Sequence, residues 1–165
     1  VDVVSSIEKF ALFMRFLDQP VPSTTTPGGA TSIANGKTLF NSVGCALCHT
    51  PTFKTGDSSV TALSGQDVNL YSDLLLHRMG PGLADDILQG AAEGDEFRTA
   101  PLWGLGQRIY FLHDGRTRDL VQAILAHQSP GNTRFKPSEA NRVIDHYRGL
   151  GEGQKQDLLN FLRSL

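Results

Sequence analysis

The chain has 165 residues, 39% of them apolar and 19% charged, which is enough to close one hydrophobic core and excludes a disordered polymer. Its net charge of −2 gives no electrostatic footprint for nucleic acid or an anionic membrane. No run reaches the roughly 18 apolar residues of a membrane-spanning helix, and two cysteines cannot build a disulfide framework.

The opening "VDVVSSIEKF" lacks the basic and small-residue features of a secretory leader, so a processed chain or a piece of a longer one is expected. Val3, Val4, Ile7, Phe10, Ala11, Met14 and Leu17 recur at three- and four-residue steps, which predicts a helix over 2–18. Leu12, Phe13 and Phe16 widen its apolar face beyond one stripe, so this helix needs partners on two sides. "PVPSTTTPGGATS" reads as a linker, and 33–43 as a short helix carrying Ile33, Leu39 and Phe40. The predicted organisation is a helix over 1–20 that connects to a domain upstream, a linker over 21–32, and one domain over 33–165.

"KTGDSSVTALSGQDVN" is loop, and the apolar run Leu74 to Leu76 stops at "HRMGPG". Leu83 to Leu88 fits one or two helical turns, "GAAEGDE" is a turn, and "FRTAPLWGLGQRIYFLHDGR" is irregular. A helix begins at Asp119, with Leu120, Ala123, Ile124 and His127 on one face. Ser138 fits the N-cap of a helix over 139–148, and a last helix over 152–164 turns Leu158, Leu159, Leu162 and Leu165 inward. No alternating strand pattern of useful length and no internal repeat is visible.

"GCALCHTP" holds both cysteines, Cys45 and Cys48, followed by His49. Cys-x-x-Cys-His reads as covalent attachment of c-type haem. Thiols about one turn apart can add to two vinyl groups as thioethers, and the next residue then lies under the iron as its proximal ligand. A redox dithiol competes, but it has no use for the following histidine and usually follows a strand in a βαβ unit. Zinc also competes, but it needs four ligands and no further cysteine exists. Phe40, just before the motif, can pack on the edge of a haem ring. A helix before the motif and a leucine-rich last helix suit c-type cytochromes. The predicted fold is therefore mainly α, a cytochrome c-like helical domain wrapped around one covalent haem c.

"FRTAPLWGLG", "YFLHDGR" and "DLVQAILAH" together resemble the C-terminal haem domain of the bacterial di-haem cytochrome c peroxidase superfamily, with its methylamine-utilisation relatives. "GCALCHTPTFKTG" and "YSDLLLHRMGPGLADD" resemble most the branch of di-haem oxidoreductases described as thiol oxidoreductases. The resemblance runs from Val3 to Leu165. It implies two haem domains in one chain, the first reacting with peroxide and the second passing electrons to it. With one Cys-x-x-Cys-His, this chain departs from that pattern and matches the electron-transfer half. The helix over 2–18 would then be the connection to the other half.

Six residues could close the far side of the iron: Met14, Met79, His77, His113, His127 and His146. Met14 reads as a core methionine and His146 as solvated. Met79 lies on a Gly-Pro loop. His127 points with its helix face into the core, where iron or a backbone carbonyl could satisfy it. The resemblance favours His127, because the family's distal ligand sits fourteen residues after the histidine of "HDG", here His113. The expected pair is His49 and His127, with Met79 as runner-up. Bis-histidine ligation leaves a lower potential than histidine/methionine ligation and no open position for peroxide.

Around that pair, Arg98 could pair with a haem propionate, as could Arg116 and Arg118, with plain solvation as the competing reading for each. His113 either reaches a propionate or caps its own turn. Trp103 either packs on the haem or lines a route between haems, with plain core packing as the competing reading. Pro51 is expected to offer its carbonyl to the second His49 nitrogen. The acidic residues between Asp57 and Glu96 match no calcium spacing.

The expected function is electron transfer by covalent haem c, within a di-haem, peroxidase-like oxidoreductase. The domain alone is not expected to be catalytic. A self-contained haem peroxidase-like enzyme with open iron is the alternative. Thioether attachment implies a periplasmic or extracytoplasmic location. The expected partner is a redox protein or a second haem domain, with no nucleic acid and no membrane insertion.

Overall fold

Ser5 starts the first helix with a capping box. Its hydroxyl accepts from the Glu8 N–H at 3.2 Å, and the Glu8 carboxylate accepts from the Ser5 N–H at 2.8 Å. The computed structural model describes residues 5–165, so Val3 and Val4 of the predicted helix lie outside the described residues. Helix α1 runs Ser6–Arg15, shorter than predicted, and none of its residues is buried. Met14 is half exposed, which corrects its reading as a core methionine.

Helix α2, Gly29–Val43, begins four residues before the predicted start, inside the stretch read as linker. That stretch is anchored rather than free, for the Ser23 N–H donates to the Ser164 carbonyl at 2.8 Å. Helix α5, Glu152–Ser164, matches the prediction and packs along α2. Gly36 makes this approach close: a Cβ there would run into the Asp157 carbonyl of α5. Phe40, Tyr71 and Phe161 meet edge to face at the crossing, with centroids 5.4–5.8 Å apart. Phe40 is 1% exposed, and burying one such side chain is worth about 1.5–3 kcal/mol. Val43, Leu158, Leu162 and Leu165 complete this core with Leu105, Leu120 and Tyr147.

Helix α3, Leu120–Leu125, starts where Asp119 accepts from the Val121 N–H at 2.7 Å. Helix α4 runs Asn141–Arg148. Ser138 is not its N-cap: its hydroxyl donates to the His127 carbonyl at 2.6 Å and accepts from the Ala140 N–H at 3.1 Å. It therefore ties α4 to the end of α3.

The expectation of a mainly α, cytochrome c-like helical domain is corrected. Helix covers well under half of the described residues, and the middle of the chain holds two small antiparallel sheets. Strand β1, Phe53–Lys54, pairs with β2, Asp67–Val68. Strand β3, Leu76–Arg78, pairs with β4, Glu96–Arg98, setting His77 opposite Phe97. Residues 83–88 are not helical, and Asp86 there has φ 62. Proline and glycine punctuate this region, and strands of two or three residues are too short to alternate legibly. Among the described residues no helix is long and apolar enough to cross a membrane.

Candidate functional site

Gly44 ends α2 in the left-handed conformation, φ 106, and turns the chain into a 3-10 turn over Cys45–Leu47. The His49 N–H closes the motif on the Cys45 carbonyl at 2.9 Å. Cys45 and Cys48 are both free and partly buried. Burial pushes the Cys45 thiol up to about 11. Burial also raises the Cys48 thiol, and the charges of Asp73 and Glu139 add to that shift. Neither is a thiolate at neutral pH, as a reactive dithiol needs.

A strap over 71–73 lies across the motif. Its three N–H groups donate in turn to the carbonyls of Pro51, Thr50 and Cys48, at 3.2, 2.9 and 2.8 Å. The fully buried Ser72 hydroxyl fixes it from beneath by donating to the Thr99 carbonyl at 2.7 Å. Tyr71 has φ 51, a costly conformation for a bulky side chain. His49 Nδ1 donates to the Tyr71 carbonyl at 2.9 Å, so Tyr71 takes the part expected of Pro51.

His127 is held in the same way, with Nδ1 donating to the Ala123 carbonyl at 2.8 Å. A carbonyl can only accept, so each ring carries its hydrogen on Nδ1 and leaves Nε2 as a lone pair. Neither Nε2 has a hydrogen-bond partner among the described residues. Burial pulls His49 down to about 4, with the Tyr71 bond opposing and the His127 charge adding. Burial lowers His127 as well. The rings are thus neutral and near enough for the charge of one to oppose protonation of the other. Two oriented, neutral imidazoles, two thiols and the Phe40 ring 6.4 Å from His49 form a donor set that suits a haem.

His77 is engaged at both nitrogens, Nε2 with Asp73 and Nδ1 with Glu139, each at 2.8 Å. Burial opposes its charge, but the bonds to Glu139 and Asp73 prevail and hold its pKa above the usual value. Burial likewise works against Asp73 and Glu139, yet their hydrogen bonds keep both below the carboxylate range. His77 Nδ1 also lies 3.8 Å from the Cys48 sulfur. This cluster of Cys48, Asp73, His77 and Glu139 was not foreseen; the sequence singled out His77 only as a candidate iron ligand.

The other expected residues lie elsewhere or have protein partners. Met79 is buried just past β3, its N–H on the Asp95 carbonyl at 2.8 Å. His113 stacks on Phe97 at 4.3 Å, with Nε2 3.7 Å from Asp85. Arg98 is exposed at the end of β4. Trp103 donates its indole N–H to the Asn69 carbonyl at 2.7 Å. Arg116 holds Asp114 and the Gly82 carbonyl, and Arg118 holds and stacks on Tyr110. His146 is exposed, its Nδ1 donating to the Val43 carbonyl at 3.1 Å.

A family model described as "di-haem oxidoreductase, putative peroxidase" matches residues 8–165. No curated protein and no solved structure matches the chain.

Proposed function

This chain belongs to the di-haem oxidoreductase family, and from that membership we propose that it carries one covalent haem c and transfers electrons through it. The observation that carries the reading is the shared posture of His49 and His127, each with Nδ1–H on a backbone carbonyl and Nε2 unpartnered. A bound haem supplies one-electron redox chemistry.

The chain's own residues have separate tasks. Cys45 and Cys48 would hold the haem covalently through thioethers, which keeps it from leaving. His49 and His127 would hold the iron through Nε2, and their carbonyl partners fix each ring's orientation. Iron held by both imidazoles would leave no position for peroxide. Two imidazoles without a methionine keep the potential low. Phe40 supports the ring edge. Met79 stays the second choice of ligand, while His77, tied at both nitrogens, is set aside.

In this reading the chain is the C-terminal, electron-transferring domain of a di-haem protein of the thiol-oxidoreductase branch. It acts outside the cytoplasm, where thioether attachment takes place. Its partner is a second haem domain or a redox protein. The unburied apolar side chains of α1 support such a neighbour at that end.

The test is a visible spectrum before and after acid-acetone extraction, oxidised and reduced. Haem retained by the protein and a low-spin, six-coordinate spectrum are expected, with His127→Ala turning high-spin. A high-spin parent would favour a peroxidase-like open iron instead. A six-coordinate His127→Ala alongside a high-spin Met79→Ala would transfer the ligand role to Met79.

A further inference from the structure

Cys48, Asp73 and His77 come from the motif's turn, the strap and strand β3, yet one donor atom of each lies within 4.8 Å of the other two. Among the described residues no other trio of cysteine, histidine and carboxylate donors comes so close.

The backbone holds this cluster in shape. Asp73 Oδ1 accepts from the Leu75 N–H at 3.0 Å, and Oδ2 meets His77 Nε2 at 2.8 Å. Glu139 Oε1 accepts from the Arg78 N–H at 3.1 Å, and Oε2 meets His77 Nδ1 at 2.8 Å. Each carboxylate thus spends one oxygen on the backbone and turns the other to His77. The Cys48 sulfur stands 3.8 Å from the same Nδ1.

An ion pair accounts for the two carboxylates and has no use for the sulfur. A metal ion uses all four groups. Bonds of about 2.3 Å to sulfur and about 2.0 Å to nitrogen span the 3.8 Å gap at a roughly tetrahedral angle. Nε2–H stays on Asp73, which fixes the ring as carboxylates do for metal-bound histidines. Sulfur and nitrogen donors disfavour calcium and magnesium. The Glu139 side chain is 46% exposed, so an ion has a way in.

We infer that Cys48 and His77 Nδ1, with Glu139 as the carboxylate ligand and Asp73 orienting the ring, bind a divalent transition metal of the zinc class. The metal replaces two protons, the thiol's and the one between Nδ1 and Glu139, and both leave to solvent. The site goes beyond the haem reading but shares Cys48 with it, so this metal and attached haem exclude each other.

Zinc(II) titrated into the full chain, with both cysteines reduced and no haem attached, in competition with a chromophoric chelator, tests this. One equivalent should bind, and cobalt(II) in its place should show a sulfur-to-cobalt charge-transfer band. Cys48→Ser should abolish the band, and Asp73→Asn, which keeps the side chain's shape, should weaken zinc binding about 10–100-fold. Absence of one-to-one binding, or an affinity unchanged in both Asp73→Asn and His77→Gln, would overturn the inference. So would equal losses in Cys45→Ser and Cys48→Ser, which would put the metal on the motif's two thiols. The haem spectrum does not depend on this result, and a chain that never takes haem should still bind zinc.

Discussion

His49 and Tyr71 are joined by a hydrogen bond that the backbone is bent to make: His49 Nδ1 donates at 2.9 Å to a carbonyl whose own residue sits at φ 51. The strain is held by the strap on either side of it. Ser72 is the fastening, since its hydroxyl both donates to the Thr99 carbonyl and accepts from the Leu74 N–H.

Ser72→Ala should therefore cost about 1–3 kcal/mol, because it strands a buried carbonyl and a loop N–H together. Urea unfolding measures this. A cost within error of zero would mean the strap is fastened by its backbone bonds alone.

The His77 clamp predicts a pH signature. Its folded pKa lies above the ordinary 6.5, so its contribution to stability is complete below that pH and is lost as pH rises through the raised value. Asp73 and Glu139 lie below their ordinary 3.8 and 4.5, so their shares are complete above those values and are lost as pH falls through the lowered ones. The urea midpoint should fall as pH rises above 6.5 in the parent and stay flat on that side in His77→Gln. A parent midpoint equally flat on that side counts against a charged clamp.

Phe40→Ala removes a ring that is 1% exposed and shared by α2, Tyr71 and Phe161. A loss of about 3–5 kcal/mol is expected. Calorimetry or urea titration reads it, and a loss below that of an ordinary surface change would mean the aromatic trio can close over the gap.

Gly36→Ala puts a methyl group into the Asp157 carbonyl of α5. Neither backbone can step aside without parting the two helices, so about 1–3 kcal/mol of overpacking should outweigh alanine's better helix propensity. A variant more stable than the parent would refute the close approach.

What the sequence revealed follows the range of the interactions. Helix α5 was legible because its leucines repeat within the segment itself. His127 was legible as inward-facing from the Leu120, Ala123, Ile124 series, and its Nδ1 does bond the Ala123 carbonyl. The start of α2 was hidden, because glycine and proline there resemble a linker and only the contact with α5 fixes the turn. Tyr71 could not be found, since its value lies in a carbonyl and a backbone angle that no side chain announces. The His77 clamp draws on Glu139, 62 positions away, with no local pattern to mark it.

The strap also divides the motif between local and long-range contacts. Cys45, Cys48 and His49 come together within a single turn of chain, whereas the carbonyl that orients His49 arrives only when the loop between Cys48 and Asp73 has closed. Loop closure is paid in chain entropy before its contacts form. The spacing of the two thiols thus rests on local contacts alone, whereas the orientation of the imidazole rests on a long-range closure.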